Sequence, residues 1–158
     1  MSLSDIDRAL EDLKKKAGEV VSKSHWFEVT QERVDQYAEV SMDHQWIHID
    51  PERSRLESPY GGAVAHGNLT LAMIGHLPEK KGYGMPELKG RRLGINYGFN
   101  RIRFPAPVLV GSRIRSTSVL KSSEKKGDMI ETLIEIVVEV EGEEKPACVA
   151  EKVGRIVF

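Results

Sequence analysis

Apolar and polar positions alternate along most of the second half of the chain. Residues 130–140 place Ile, Val and one Thr at every second position, with Glu at three of the five positions between them, which is typical of a half-buried strand. The same alternation begins at residue 93 and changes phase near Asn100, where we expect a β-bulge. Weaker strand patterns cover residues 114–120 and 147–157. Because short connections separate these segments, the pattern predicts an antiparallel sheet.

The first 18 residues carry the signals of a surface helix. Ser4 can cap it, Asp5 and Asp7 lie in its first turn, and residues 14–16 are all Lys. This polarity complements the helix dipole, and Gly18 is a suitable terminator. The apolar stripe is narrow, so we expect the helix to cover a surface.

A short strand and a second helix are expected next. Residues 25–29 have a strand-like composition, and Thr30 can cap a helix that ends near Ser41. Val29 and Val34 occupy the flanking positions of a hydrophobic staple. The bulk of Trp46 and the ring of Pro51 predict irregular backbone after this helix.

Residues 65–77 are apolar almost all round, which predicts a buried helix ended by Pro78. The economical way to bury it is inside a curved antiparallel sheet. This is the outline of a hotdog domain of the α+β class, with a long buried helix and an extra N-terminal helix. We assign residues 1–24 to the N-terminal helix and lead-in, and residues 25–158 to the hotdog domain. The sheet leaves a free edge, so we expect a homodimer.

Composition narrows the class of protein. The 158 residues are 40% hydrophobic and 30% charged, with a net charge of -1 from 23 basic and 24 acidic side chains. This balance argues against a nucleic-acid partner. The single cysteine, Cys148, is expected to be a buried, inert thiol and fits a reducing compartment. No segment approaches the roughly 18 apolar residues of a membrane span, and no signal-peptide pattern is present. We expect a cytoplasmic protein without membrane contact.

Candidate chemistry is concentrated between the second helix and the buried one. Asp43 and His48 lie five residues apart on the expected loop, and His66 and Gly67 open the apolar run. A carboxylate and an imidazole can transfer protons, and a backbone N–H at a helix start can stabilise negative charge. Their proximity in sequence favours an enzyme. His66 is expected to be tied through its ring to a backbone carbonyl at the helix start.

Two motifs resemble those of a known family: Asp43-His-Gln-Trp-Ile-His48-Ile-Asp-Pro-Glu-Arg and Asn96-Tyr-Gly-Phe-Asn-Arg-Ile-Arg-Phe-Pro-Ala-Pro107. With Ala65-His66-Gly67, they resemble the MaoC-like dehydratases, or (R)-specific enoyl-CoA hydratases, in the branch named after nodulation protein N. The resemblance covers about residue 25 to the end. It implies a hotdog fold and interconversion of trans-2-enoyl-CoA and (R)-3-hydroxyacyl-CoA.

The resemblance also implies roles for individual residues. Asp43 and His48 match the catalytic pair that activates water, and the Gly67 amide matches the donor to the thioester oxygen. Gln45, Trp46 and His66 are then supporting or substrate-binding residues. An acyl-CoA thioester is the implied partner, and no metal or other cofactor is implied.

The chain departs from the family pattern at a few positions. Where the family often has Gly before the Asp and Asn-Pro after it, this chain has Met42, Gln45 and Trp46. Gly75 falls where the family has a hydroxyl-bearing serine. A hotdog thioesterase and a non-catalytic acyl-thioester-binding protein are the alternatives. A metal site formed by His44, His48, Asp50 and His66 is weaker, because the set matches no complete ligand pattern.

Overall fold

An antiparallel sheet of six strands organises the part of the chain that the computed structural model describes, residues 4–81 and 83–158. The helices and strands, in chain order, are α1 (Asp5–Lys15), β1 (Val20–Lys23), β2 (Phe27–Glu28), α2 (Gln31–Ser41), α3 (Trp46–Ile49), α4 (Pro51–Glu57), α5 (Gly67–Met73), β3 (Leu93–Arg103), β4 (Arg113–Lys126), β5 (Met129–Val140) and β6 (Cys148–Val157).

The strands follow the order β1-β4-β5-β6-β3, and β2 also pairs with β4. Every pairing is antiparallel, as the alternation predicted. The register of β3 against β6 shifts between Phe99 and Arg101, which confirms the expected bulge. A second shift, between Asn96 and Gly98, had no clear sequence signal. The sheet is open, and β3 lies at one end of the order.

The main core lies between α5 and the inward side of the sheet. Leu69 and Met73 of α5 join Ile136 and Val138 of β5 in one buried cluster, to which Cys148 also belongs. Burial raises the pKa of the Cys148 thiol to about 11, so it is un-ionised at neutral pH, as expected of an inert thiol. The predicted fold class, an antiparallel sheet around a buried helix, is confirmed.

The buried helix is shorter than the sequence pattern predicts. It begins at Gly67 because the Ala65 N–H is bonded to the Val108 carbonyl at 2.8 Å, which holds the preceding backbone extended. After Met73 the chain continues in turns, with the His76 N–H donating to the Met73 carbonyl at 2.9 Å. One side of α5 is also exposed, at Asn68 and Ala72.

The N-terminal helix forms as predicted and covers a second core. The Ser4 hydroxyl accepts from the Asp7 N–H, and the helix ends at Lys15, ahead of Gly18. Leu13 is fully buried in a cluster that includes Leu120 and residues of β1 and β5. The division at residue 24 stays a prediction, and residues 1–3 lie outside the described residues.

Other element boundaries differ from the sequence pattern. The strand expected at residues 25–29 is limited to Phe27–Glu28, and the strand expected at 114–120 extends over Arg113–Lys126. Val20–Lys23 forms a strand that the pattern did not predict. Among the described residues, no helix is long and apolar enough to cross a membrane.

Candidate active site

Three backbone segments meet beside the N-terminus of α5. Residues 63–66, which we call the lead-in, run between residues 43–48 and residues 108–110. Because residues 43–48 contain the predicted catalytic pair, we call them the catalytic segment. The Val64 N–H donates to the Ile47 carbonyl at 3.0 Å. On the other side, the Ala65 and Val110 N–H groups donate to the Val108 and Ala63 carbonyls at 2.8 and 2.9 Å. These bonds place the residues before α5 directly against the catalytic segment.

The end of α2 positions Asp43. Met42 caps this helix in the left-handed conformation, with φ of 59°. A residue with a side chain rarely adopts this conformation, which accounts physically for the glycine that the family resemblance leads us to expect there. The Asp43 N–H donates to the Ser41 hydroxyl at 3.3 Å, and the Gln45 N–H donates to the Asp43 carboxylate at 3.4 Å. The Asp43 side chain remains 54% exposed.

The backbone after Gln45 is helical, so the prediction of irregular structure was wrong. His48 lies on the single turn α3, and Pro51 opens α4. Pro is favoured at a first helical position because its missing N–H would have no partner there. Asp50 caps α4 by accepting from the Arg53 N–H at 2.9 Å. The bulk of Trp46 is accommodated under the Arg53 guanidinium, 4.3 Å from the ring centroid.

His48 is buried and held in one tautomer. Its Nδ1 lies 2.6 Å from the Val64 carbonyl oxygen. Because a carbonyl only accepts, Nδ1 carries the proton and the neutral ring keeps its lone pair on Nε2. Burial lowers the pKa of His48 below its ordinary value of 6.5, and the bond to Val64 opposes this shift. His48 is therefore a neutral imidazole at pH 7 with a basic Nε2.

His66 lies against both members of the predicted catalytic pair. Its Nε2 donates to the Asp43 backbone carbonyl at 2.9 Å, and its ring stacks on the His48 ring with 3.7 Å between centroids. The expected bond to a backbone carbonyl is present, but the acceptor belongs to the catalytic segment and not to the helix start. Only 3% of the residue is exposed.

Gly67 is the first residue of α5 and lines a cavity together with His48. The first N–H of a helix has no partner within the helix. A Cβ at Gly67 would lie 3.1 Å from the Phe104 ring, so this position has little room for a side chain. The cavity encloses about 340 Å³ and is otherwise largely apolar. Its other lining residues are Ile47, Tyr60, Val64, Ala65, Thr70, Phe104, Pro105, Ala106, Pro107, Val108 and Ala147.

The structure brings together Asp43, His48, His66 and Gly67. Gln45 meets Asp43 through its backbone N–H, while its side chain is exposed. Trp46 packs under Arg53 and is not among the residues that line the cavity. Sequence reasoning missed Phe104, although it stands within the second family motif. A larger concavity of 520 Å³ beside Tyr97 contains none of the predicted site residues.

The four-residue metal set that the sequence offered as a weaker alternative does not assemble. His44 pairs with Glu39 at 2.9 Å, and Asp50 caps α4. Asp43, His48 and His66 do offer ligand atoms within 4.8 Å of one another. However, the two imidazole planes differ by only 25° and are stacked. One ion would have to lie in both ring planes, which this stacking opposes, so the cluster favours proton transfer.

A sequence model of the MaoC like domain matches residues 12–142, which include the whole cluster and all of the cavity lining except Ala147. The chain belongs to the MaoC-like dehydratase family. It is therefore an enzyme of the dehydratase class, and the resemblance found in the two motifs is confirmed.

Curated relatives support this placement over almost the full chain. The chain is 48% identical to 3-hydroxyacyl-thioester dehydratase Z of Mycobacterium tuberculosis over 147 residues, which cover 92% of this chain and 94% of the relative. It is 40% identical to nodulation protein N of Rhizobium leguminosarum bv. viciae, covering 95% and 92%.

Solved structures share the fold. A MaoC-like dehydratase from Rhodospirillum rubrum matches with a TM-score of 0.72 at 20% identity, covering 94% of this chain and 95% of its own. An (R)-hydratase from A. caviae, involved in PHA biosynthesis, matches with a TM-score of 0.62 at 20% identity, covering 86% and 95%.

The two stacked imidazoles are expected to hold opposite tautomers at pH 7. Because each ring donates to a carbonyl, His48 is protonated on Nδ1 and His66 on Nε2. Nitrogen-15 NMR correlations between ring nitrogens and ring protons distinguish these tautomers. The same spectra followed against pH will show His48 becoming charged only below its ordinary value of 6.5, because burial disfavours the cation. A His48 titration at or above that value would contradict the geometry.

Proposed function

We propose that the chain reversibly hydrates a trans-2-enoyl-CoA to the (R)-3-hydroxyacyl-CoA. One observation carries the proposal: a neutral His48 with a basic Nε2 lies beside the Asp43 carboxylate and lines the same cavity as Gly67. The name of the 48% identical relative, 3-hydroxyacyl-thioester dehydratase Z, supports a 3-hydroxyacyl thioester as the substrate class.

The spacing of Asp43 and His48 suits one bound water. A carboxylate oxygen of Asp43 and a ring nitrogen of His48 lie within 4.8 Å of each other. A water with hydrogen bonds of about 2.8 Å to both groups spans such a gap. The carboxylate accepts one proton of this water and orients it, while Nε2 of His48 accepts the other.

The reaction balances with these groups alone. As His48 takes a proton, the water oxygen bonds to C3 of the enoyl thioester and the double-bond electrons move onto the thioester oxygen. The resulting enolate then takes the proton from the His48 imidazolium at C2. Water is thus added across C2 and C3, and both side chains return to their starting state. Dehydration follows the same path in reverse.

Gly67 is placed to stabilise the enolate. Its N–H is the first of α5, where unpaired donors and a positive partial charge favour an anion. Gly67 has no side chain that would block the approach of a thioester to this N–H. A Cβ there would also lie 3.1 Å from the Phe104 ring. His66, Gln45 and Trp46 have supporting roles around the pair.

Removing either member of the pair tests the proposal. Asp43→Asn and His48→Ala are each expected to lower kcat by about two orders of magnitude or more, the scale of positioned proton transfer. The measurement is the loss of ultraviolet absorbance of crotonyl-CoA. Chiral analysis of the product will give the (R) alcohol.

His44→Gln is the matched control, because this exposed neighbour pairs with Glu39 and not with the site. It should keep wild-type activity. Near wild-type rates in Asp43→Asn or His48→Ala would remove those residues from the mechanism. Release of free thiol from an acyl-CoA would instead indicate a thioesterase. Saturable binding of crotonyl-CoA without consumption would indicate a binding protein.

Cell fractionation tests our further proposal that the enzyme acts in the cytoplasm.

We also propose that the enzyme is a homodimer that pairs through the free edge of β3. Along this edge strand Leu93, Ile95 and Tyr97 are 50%, 40% and 57% exposed. An unpaired strand with exposed apolar side chains is a template for a second strand. The exposed side of α5 also contributes to a groove with Phe99 of β3.

Light scattering should give twice the 17.7 kDa mass of one chain. Ile95→Lys is expected to shift the mass towards a single chain, because a charge on a pairing edge opposes association. Asp12→Lys, on the exposed side of α1, is the control for added charge. A wild-type protein with the mass of one chain would refute the dimer.

A further inference from the structure

We propose that His66 is a positioning residue that fixes the separation between the Asp43 carboxylate and the His48 imidazole. This inference rests on the proposed function, because it concerns the distance across which a single water is held. His66 acts through these two residues, since its Nε2 is bonded to the Asp43 carbonyl and its ring is stacked on that of His48.

The bond from His66 is the shortest one that holds Asp43. The His66 Nε2–H reaches the Asp43 carbonyl at 2.9 Å, whereas the Asp43 N–H and carboxylate bonds are 3.3 and 3.4 Å long. The carboxylate itself is more than half exposed. Nothing else in the described residues ties the Asp43 backbone as closely to the rest of the site.

His66 departs from the usual behaviour of a helix cap. It stands at the N-cap of α5, yet its side chain makes no capping bond. The ring turns instead towards a carbonyl 23 residues earlier in the chain. The same residue therefore adjoins Gly67 through one peptide bond and Asp43 through one hydrogen bond.

Stacking on the His66 ring fixes the position of His48, the other member of the pair. The centroids of the His66 and His48 rings are 3.7 Å apart. The Tyr37 ring of α2 also lies near the His66 ring, with 4.9 Å between centroids and a tilt of 59°. Such aromatic contacts restrict ring rotation. His66 is thus enclosed by α2, the catalytic segment and its own backbone.

His66 is not placed to exchange protons itself. Its Nδ1 is buried and has no hydrogen-bond partner among the described residues. The Nε2–H donor of the ring is committed to the Asp43 carbonyl oxygen.

Two variants separate the donor from the ring. His66→Phe keeps a stacked ring and removes the N–H, while His66→Gln keeps an amide N–H and removes the ring. We expect kcat in His66→Phe to fall about tenfold to a hundredfold with KM nearly unchanged, because small displacements of catalytic groups cost that much. His66→Gln should recover part of the lost kcat. His44→Phe is the control for a histidine outside the site.

A second readout needs no turnover. Among the described residues, the charged and titratable groups around His48 are Asp43 and His66, together with Tyr60, which lines the same cavity as His48. Tyr37 lies against the His66 ring. The Asp43 carboxylate raises the pKa of His48, so Asp43→Asn should lower it. In a His66→Phe background this effect of Asp43→Asn should shrink, because Asp43 is no longer held. NMR titration of His48 in the four proteins measures this double-mutant cycle.

Wild-type kcat in a folded His66→Phe protein, or an unchanged Asp43 effect on His48 in that background, would overturn the proposal. A raised KM at constant kcat would do so too, since it would indicate substrate contact. If His66→Phe fails to fold, kcat and the effect of Asp43→Asn on the pKa of His48 are measured in His66→Gln instead. That variant lacks the stacked ring, so unchanged values of both would overturn the proposal. If the wild type does not hydrate enoyl thioesters, the proposed function fails, while the NMR cycle still tests the positioning.

Discussion

The hydrogen bond from His48 Nδ1 to the Val64 carbonyl joins the two segments on which the site depends. It sets the tautomer of His48, and with the Val64 N–H bond to Ile47 it seats the catalytic segment along the lead-in. The lead-in is itself bonded to residues 108–110, so His48 and the first N–H of α5 are held by one small backbone framework. A bond 2.6 Å long in a buried setting is strong because water does not compete for it.

This framework also explains why the site combines order and exposure. His48 and His66 are buried and fully oriented, whereas the Asp43 side chain reaches solvent from a left-handed turn at Met42. Burial keeps the His48 imidazole neutral, with a lone pair on Nε2 that can accept a proton. In the largely apolar cavity, electrostatic interactions with the charge that develops in the proposed reaction are stronger than in water.

Much of the fold could be predicted from periodicity alone. The alternation in β5 and the phase change near Asn100 are direct consequences of which face each side chain occupies. The length of α5 could not be predicted, since the lead-in is extended by a bond to Val108 that only the tertiary fold supplies. Asp43, His48 and Gly67 were identified from spacing and family motifs. The contact of His66 with both partners, and of Phe104 with Gly67, joins residues far apart in sequence and needs coordinates to be seen.

In the proposed reaction, one thioester lies between the Gly67 amide and the Asp43–His48 pair. A crystal structure of Asp43→Asn soaked with crotonyl-CoA would show this arrangement. We expect the thioester oxygen within hydrogen-bond distance of the Gly67 nitrogen, with C3 facing His48 Nε2 and the residue-43 side chain. A thioester bound with its carbonyl away from Gly67, or with C3 beyond reach of His48, would contradict it.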